Sequence, residues 1–215
     1  MTSHTPRSRL LRDSRVLRRA DEIVDAAASV FAARGFHGTS TQAIADVLGM
    51  RQASLYYYFP SKEAALQLVC EKGVDGFMES AEAIVATDAA PIDKLTHLLA
   101  SHLAPNELKR DYVKVFINER RYLPQPARRR IGRSSRRIEG CFAEVIRAGI
   151  SDCSMRADLD VRLTVLAILG MCNNVINWPA TDQAVDVRRT AAEFARMVVQ
   201  GVSAPAPRAV SRNRS

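Results

Sequence analysis

Cysteine is scarce in this 215-residue chain: only Cys70, Cys141, Cys153 and Cys172 occur, far apart and with no Cys-x-x-Cys pair. No histidine lies at metal-ligand spacing from any of them. Neither a disulfide framework nor a zinc module organises such a chain, and free, mostly buried thiols in a reducing compartment, the cytoplasm, are expected. Long hydrophobic runs are missing too. The longest strongly apolar stretch, Leu163–Cys172, is about half the span a bilayer helix needs. The basic N-terminus is followed by no apolar segment of the secretory type, so no membrane partner is expected. Period-two runs of Val, Ile, Thr and aromatics are absent, which removes the usual strand signal. No Ser-His-Asp arrangement, carboxylate pair, phosphate loop or metal set is visible, so no catalytic residue, metal ligand or cofactor is assigned.

Acid is the minority charge: 23 Asp and Glu face 31 Lys and Arg, a net charge of +8. That excess favours an anionic partner such as nucleic acid, a phosphorylated ligand or an anionic surface, without choosing among them. Apolar residues make up 47% of the chain, enough to build a core without staples. Ile23, Ala27, Val30 and Phe31 recur at helical spacing before Gly35, and most prolines fall between such segments. The pattern predicts helices over 17–34, 41–48, 52–59, 62–86, 92–103, 107–122, 127–150, 158–178 and 182–202. The fold class is therefore all-α, with about nine helices: a small N-terminal three-helix module on a larger C-terminal bundle. Residues 1–15 read as a disordered basic arm, 16–62 as the module, 63–203 as the bundle and 204–215 as a disordered tail.

The informative segment is Phe36 to Lys62, FHGTSTQAIADVLGMRQASLYYYFPSK. Ser40 is a candidate N-cap, and Ile44, Ala45 and Leu48 form one apolar face. Gly49 ends that helix, and a second short helix buries Leu55 and Phe59, four apart. Two short helices joined by a tight Gly-containing turn make a helix-turn-helix. Its second helix then exposes Arg51, Gln52, Ser54, Tyr56 and Tyr57, the donors and amphipathic aromatics a major-groove reader uses, with Ala53 among the candidate DNA contacts.

These residues resemble the DNA-binding domain of the TetR family of bacterial transcriptional repressors. The similarity is carried by Gly38, Ser40, Ile44, Ala45, Gly49, Leu55, Tyr56, Phe59, Ser61, Lys62, Glu63 and Leu66. The resemblance implies that Thr41 and Gln42 also face DNA and that Lys62 holds a phosphate. It implies a dimer made by the last two helices, and a C-terminal bundle that binds a small-molecule inducer. Arg51 departs from the pattern, since family members usually place Ser or Thr there to cap the recognition helix. Arginine cannot accept that amide bond, at a cost of about 1 kcal/mol; its long cation reaches toward a phosphate or a guanine edge instead. The arm, with Arg7, Arg9, Arg12, Arg15, Arg18 and Arg19 against Asp13, is either a solvated tail or a phosphate contact.

Residues 109–137 hold eleven Lys or Arg and two acids, interleaved with Tyr112, Phe116, Ile131 and Ile138, with Phe142 just beyond. This stretch is either a solvated helix face or a basic mouth above an apolar cavity, with Arg120, Arg121 and Arg128 at an anionic head and Phe116 and Phe142 along a tail. LGMCNNVINWP, Leu169–Pro179, is similar to the matching stretch in family members that respond to acyl-CoA thioesters. It offers Asn173, Asn174, Asn177 and Trp178 either as interface pairs or as ligand contacts. For the dimer, Val161, Val165, Ile168 and Cys172 supply one apolar stripe, and Val187, Ala191, Phe194 and Val198 another. The leading expectation is a dimeric repressor on a palindromic operator, released by an inducer. A helical-bundle enzyme and a protein that coats DNA or other anions by charge alone are the alternatives. A high ratio of specific to non-specific affinity excludes the last.

Overall fold

Helix follows helix wherever apolar residues recur at helical spacing. In the computed structural model, which describes residues 6–105, 109–178 and 186–205 (6–17 by backbone alone), the order begins with α1 (Pro6–Arg34), α2 (Thr41–Val47), α3 (Gln52–Leu55) and α4 (Lys62–Val74). Next come α5 (Phe77–Val85), α6 (Pro91–Leu103), α7 (Arg110–Glu119) and a 3-10 turn at Arg120–Tyr122. The chain continues through α8 (Gln125–Ser151), α9 (Val161–Asn174), a second 3-10 turn at Val175–Asn177 and α10 (Val187–Val202). Among the described residues no strand forms, and Met155 and Ser203 make only an isolated bridge. The all-α class is as expected.

Several helix bounds differ from the periodicity. The first helix starts at Pro6 rather than residue 17, so residues 6–15, expected as a disordered arm, carry helical backbone. Leu and Arg are good helix formers, and proline is well placed at a first helical position because its missing N–H would be unpaired there anyway. The single helix expected over 62–86 is two: α4 and α5 are separated at Asp75 and Gly76, where Gly76 takes a left-handed φ of 83° that glycine alone adopts cheaply. The recognition helix is shorter than expected, four residues, so Tyr56 and Tyr57 lie in the turn that follows it. The start expected at 182 and most of the expected tail, from residue 206 on, lie outside the described residues.

Packing divides the chain into two units: residues 1–75 with 108–134, and 76–107 with 135–215. The first closes around Ile23, Ala27, Phe31, Phe36, Ile44, Leu55, Phe59, Leu66 and Val69, joined by Val115, Leu123 and Ile131 from the later segment. At the contact of α4 with α7, a Cβ on Gly73 would come within 2.9 Å of the Tyr112 carbonyl, so only glycine lets these helices approach so closely. The second unit closes around Leu95, Leu98, Leu99, Phe142, Ile146, Val165, Ile168, Cys172 and Phe194. Three of the four thiols are buried and Cys153 is exposed, all free. Burial pushes Cys70 and Cys172 up to about 12, which keeps these thiols protonated and inert.

Candidate nucleic-acid interface

Local chemistry builds the helix-turn-helix much as the residue types require. Ser40 stands in extended backbone and its Oγ accepts from the Ala43 amide at 3.1 Å, capping α2. Gly49, at φ 61°, turns the chain toward α3. Ile44, Ala45, Leu55 and Phe59 are buried, as expected, and Leu48 packs partly buried against them. Arg51 occupies the cap position of α3 in extended backbone and makes no side-chain cap bond, the deficit its side chain implies. Ser61, to which no role was given from sequence, caps α4 by accepting from the Ala64 amide at 3.2 Å.

This scaffold leaves a polar face. Gln42, Arg51, Ala53, Ser54, Tyr56 and Tyr57 are exposed and Thr41 and Gln52 half-buried; Tyr57 is 86% exposed, unusual for so large a ring without a partner surface. Three of the candidate contacts meet. The Gln52 Nε2 donates to Thr41 Oγ1 at 2.6 Å and to the Tyr56 hydroxyl at 3.4 Å, and Thr41 and Tyr56 lie 3.4 Å apart. Gln42 instead donates to Asp46 at 2.6 Å. The first three side chains are therefore held in one pattern of donors and acceptors, the kind that matches base edges or phosphates with little ordering left to do on binding.

Lys62 sits differently from a freely reaching phosphate ligand. Its Nζ donates to the carbonyls of Phe36 at 2.9 Å and Thr39 at 3.0 Å, and lies 4.3 Å over the Phe36 ring. An ammonium has three protons, so one remains for a phosphate. Charge follows the reading head: the first unit carries 19 Lys and Arg against 10 Asp and Glu, the second 12 against 13.

The basic stretch is engaged largely with its own surroundings. Arg120 lies 4.8 Å over the Phe116 ring, Arg121 4.8 Å over Tyr122, and Arg128 donates to the Arg121 carbonyl at 3.2 Å. Arg130 pairs with Glu71 and Arg137 with Glu82. Phe116 and Ile131 pack on the first core, whereas Ile138 and Phe142 belong to the second.

The second unit contains a small pocket of about 10 Å³ lined by Phe77, Ala81, Leu98, Ile138 and Phe142 with Ser101 and His102, far below the roughly 300–1,000 Å³ usual for a ligand site. Of the residues expected at a ligand, Phe142 lines it, and Asn173 reaches it by a 3.0 Å hydrogen bond to His102 Nε2. Phe116, Arg120, Arg121 and Arg128 do not line it. Trp178 meets Phe194 edge-on at 5.9 Å, and Asn177 belongs to the 3-10 turn before it. The His102 ring is flanked by Phe77 and Phe142, and burial holds its imidazole below the ordinary histidine range, partly offset by Asn173. Among the described residues, no group of His, Cys, Asp and Glu is placed to hold a metal, and no helix is long and apolar enough to cross a membrane.

Comparison with known proteins matches the same two regions. The family model "Bacterial regulatory proteins, tetR family" matches residues 23–69, and "Tetracyclin repressor-like, C-terminal domain" matches residues 88–202. The HTH-type transcriptional repressor KstR2 of Mycolicibacterium smegmatis is 26% identical over 186 residues, 86% of this chain and 91% of the relative. The ketosteroid transcriptional regulator KstR2 of Mycobacterium tuberculosis superposes with a TM-score of 0.81 at 25% identity, over 87% of this chain and 96% of that one. The regulator FadR of Bacillus subtilis, solved in complex with stearoyl-CoA, gives 0.66 at 26% identity, over 84% and 97%. With both of its regions matched, and the second alone spanning more than half of its length, this chain belongs to the TetR family of bacterial DNA-binding transcriptional regulators.

Proposed function

We propose that the protein is a homodimeric repressor that binds a palindromic operator through α2 and α3 and is released by a small-molecule inducer. The observation that carries the DNA reading is the Thr41–Gln52–Tyr56 cluster on an exposed face. Thr41, Gln42, Arg51, Gln52, Ala53, Ser54, Tyr56 and Tyr57 are the proposed DNA contacts, with Lys62 offering its remaining proton to a phosphate. One such head reads few base pairs, so two heads on half-sites about one helical turn apart are needed for useful specificity.

The dimer rests on different residues from those the periodicity suggested. Val165, Ile168, Cys172, Ala191 and Phe194 are buried within their own chain, in the second core. Leu163 at 63%, Leu166 at 47% and Met197 at 56% exposure are the large apolar side chains that α9 and α10 leave uncovered, and they are the proposed centre of a subunit interface.

The inducer is proposed as an acyl-CoA thioester, because a FadR relative of 26% identity is solved with stearoyl-CoA; the small pocket at Phe142 and His102 is the proposed point of entry for its acyl chain and must widen to admit it. A panel titration against the preformed protein–operator complex tests it, using acyl-CoAs, the matching free acids and neutral hydrophobes. Release by CoA esters is expected. Release by neutral compounds alone would refute the ligand class. A ligand that releases DNA must bind the two arrangements unequally, so operator DNA must weaken its binding by the same factor.

A further inference from the structure

We infer that Glu119 and Tyr122 are positioning residues of the DNA-reading head: they grip the Gly35–Thr39 turn from which α2 starts, and so set the pose in which α2 and α3 meet the operator. The inference rests on the proposal above that these two helices contact DNA.

Phe36 is held on every side that can be held. Its peptide N–H donates to Glu119 Oε2 at 3.0 Å. Its carbonyl accepts from Lys62 Nζ at 2.9 Å. Its ring stacks on Tyr122 with centroids 5.3 Å apart and planes within 15°, and His37 meets the same Tyr122 edge-on at 4.5 Å. Around it, Thr39 is buried and donates from Oγ1 to the Gly35 carbonyl at 2.8 Å, and the Gly35 backbone is left-handed at φ 67°. A Cβ on Gly35 would lie 3.5 Å from the Glu119 carboxylate, so the carboxylate closes directly over the turn.

A turn that must adopt a left-handed residue and then start a seven-residue helix has little preference of its own for one path. Lys62 anchors it from the neighbouring helix. The other anchors come from more than 80 residues away, at the end of α7 and in the 3-10 turn after it. Those residues lie within the C-terminal family domain, matched over 88–202, yet they pack in the same unit as the reading head. Nothing in α2 or α3 requires a carboxylate at 119 for their own folding: Ser40 already caps α2 and the core under both helices is apolar. The grip therefore bears on where the head points. If it loosens, only a fraction of molecules present the competent pose, and apparent operator affinity falls by that fraction.

The test uses the full-length protein and a duplex selected from random DNA, with a scrambled duplex as the non-specific reference. Glu119→Leu and Tyr122→Leu are expected to weaken operator binding by about tenfold or more. The scrambled duplex and the salt slope should be unaffected, because no phosphate contact is removed. Glu119→Gln keeps an acceptor oxygen and Tyr122→Phe keeps the stacked ring, so both should return to within about twofold of wild type. Leucine variants that fold and bind the operator like wild type would overturn the inference. So would conservative variants as impaired as the leucines. In the wild-type protein, the Phe36 amide should exchange with solvent as slowly as the amides of α2; exchange at the rate of an open peptide overturns the grip even if neither leucine variant folds. Gln52→Ala and Tyr56→Ala on the same duplex separate the two claims. If they bind like wild type, the operator reading fails; if they are impaired while both leucine variants are not, the grip alone fails.

Discussion

Replacing Arg51 by serine should move stability and DNA affinity in opposite directions. Arg51 stands at the cap of α3 with φ −72° and ψ 139° and gives that helix no side-chain bond. The same module shows what a working cap looks like: Ser40 and Ser61, also in extended backbone, accept from the amide three residues on at 3.1 and 3.2 Å. A serine at 51 would offer its hydroxyl to the Ser54 amide, which donates at 2.9 Å to the carbonyl of residue 51 and would be shared between the two acceptors. A side-chain cap is worth about 1 kcal/mol, and in a four-residue helix it adds to very few backbone bonds. For a chain of this size about 1 kcal/mol corresponds to roughly 2–4 °C in the melting transition that includes the first unit. Operator affinity should fall meanwhile. Loss of a base-edge contact removes about 1–3 kcal/mol, and loss of a phosphate contact lowers the salt slope by about one. Scanning calorimetry on Arg51→Ser, and operator titration at three salt concentrations, read the two effects separately. An unchanged or lower Tm would refute the capping argument, and an unchanged or higher operator affinity would refute the contact.

Gly38→Ala should cost about 1–3 kcal/mol by chemical denaturation, because its Cβ would sit 2.4 Å from the Arg34 carbonyl oxygen and backbone must move to admit it. Burial, only partly offset by Asn173, lowers the His102 imidazole from its ordinary 6.5. The unfolded chain therefore takes up that proton first. Its contribution to stability is complete above pH 6.5 and is lost as pH falls from there through the folded value. His102→Phe should flatten that acid-side slope in urea titrations between pH 7 and about pH 5. Leu163→Glu combined with Leu166→Glu should leave far-UV circular dichroism unchanged and give a monomer in sedimentation velocity at micromolar concentration; a persistent dimer would remove α9 from the interface.

The helix-turn-helix was legible because its signals are local: Ser40, Gly49 and the Leu55–Phe59 pair declare a cap, a turn and a buried face within a few residues of one another. Arg51 was readable for the same reason, as a residue type unable to do what its position asks. Gly76 carried a signal too, as an Asp-Gly pair inside a long apolar pattern, but periodicity ran across it and the break between α4 and α5 was missed. Lys62 shows where local reading stops. Its carbonyl partners lie 23 and 26 residues away, so the sequence shows a lysine at a helix start and nothing of its inward bonds. Glu119 and Tyr122 carried no local signal for their contact with Phe36, since a capping carboxylate distant in sequence has no fixed spacing. The apolar stripes on α9 and α10 failed for a further reason. Helical spacing reveals that a face is buried without revealing which body buries it, and here Val165, Ile168 and Phe194 face their own core. Phe116 and Phe142, imagined together along one ligand, fall in the two separate cores.

The central claim is that the face built by Thr41, Gln52 and Tyr56 reads operator DNA. It is tested most directly by the operator dissociation constants of Gln52→Ala and Tyr56→Ala at fixed salt, each divided by that for a scrambled duplex. The account predicts that this specificity ratio falls by about 5- to 150-fold in each variant, the equivalent of about 1–3 kcal/mol, with helicity unchanged. Ratios equal to wild type in both variants would contradict it.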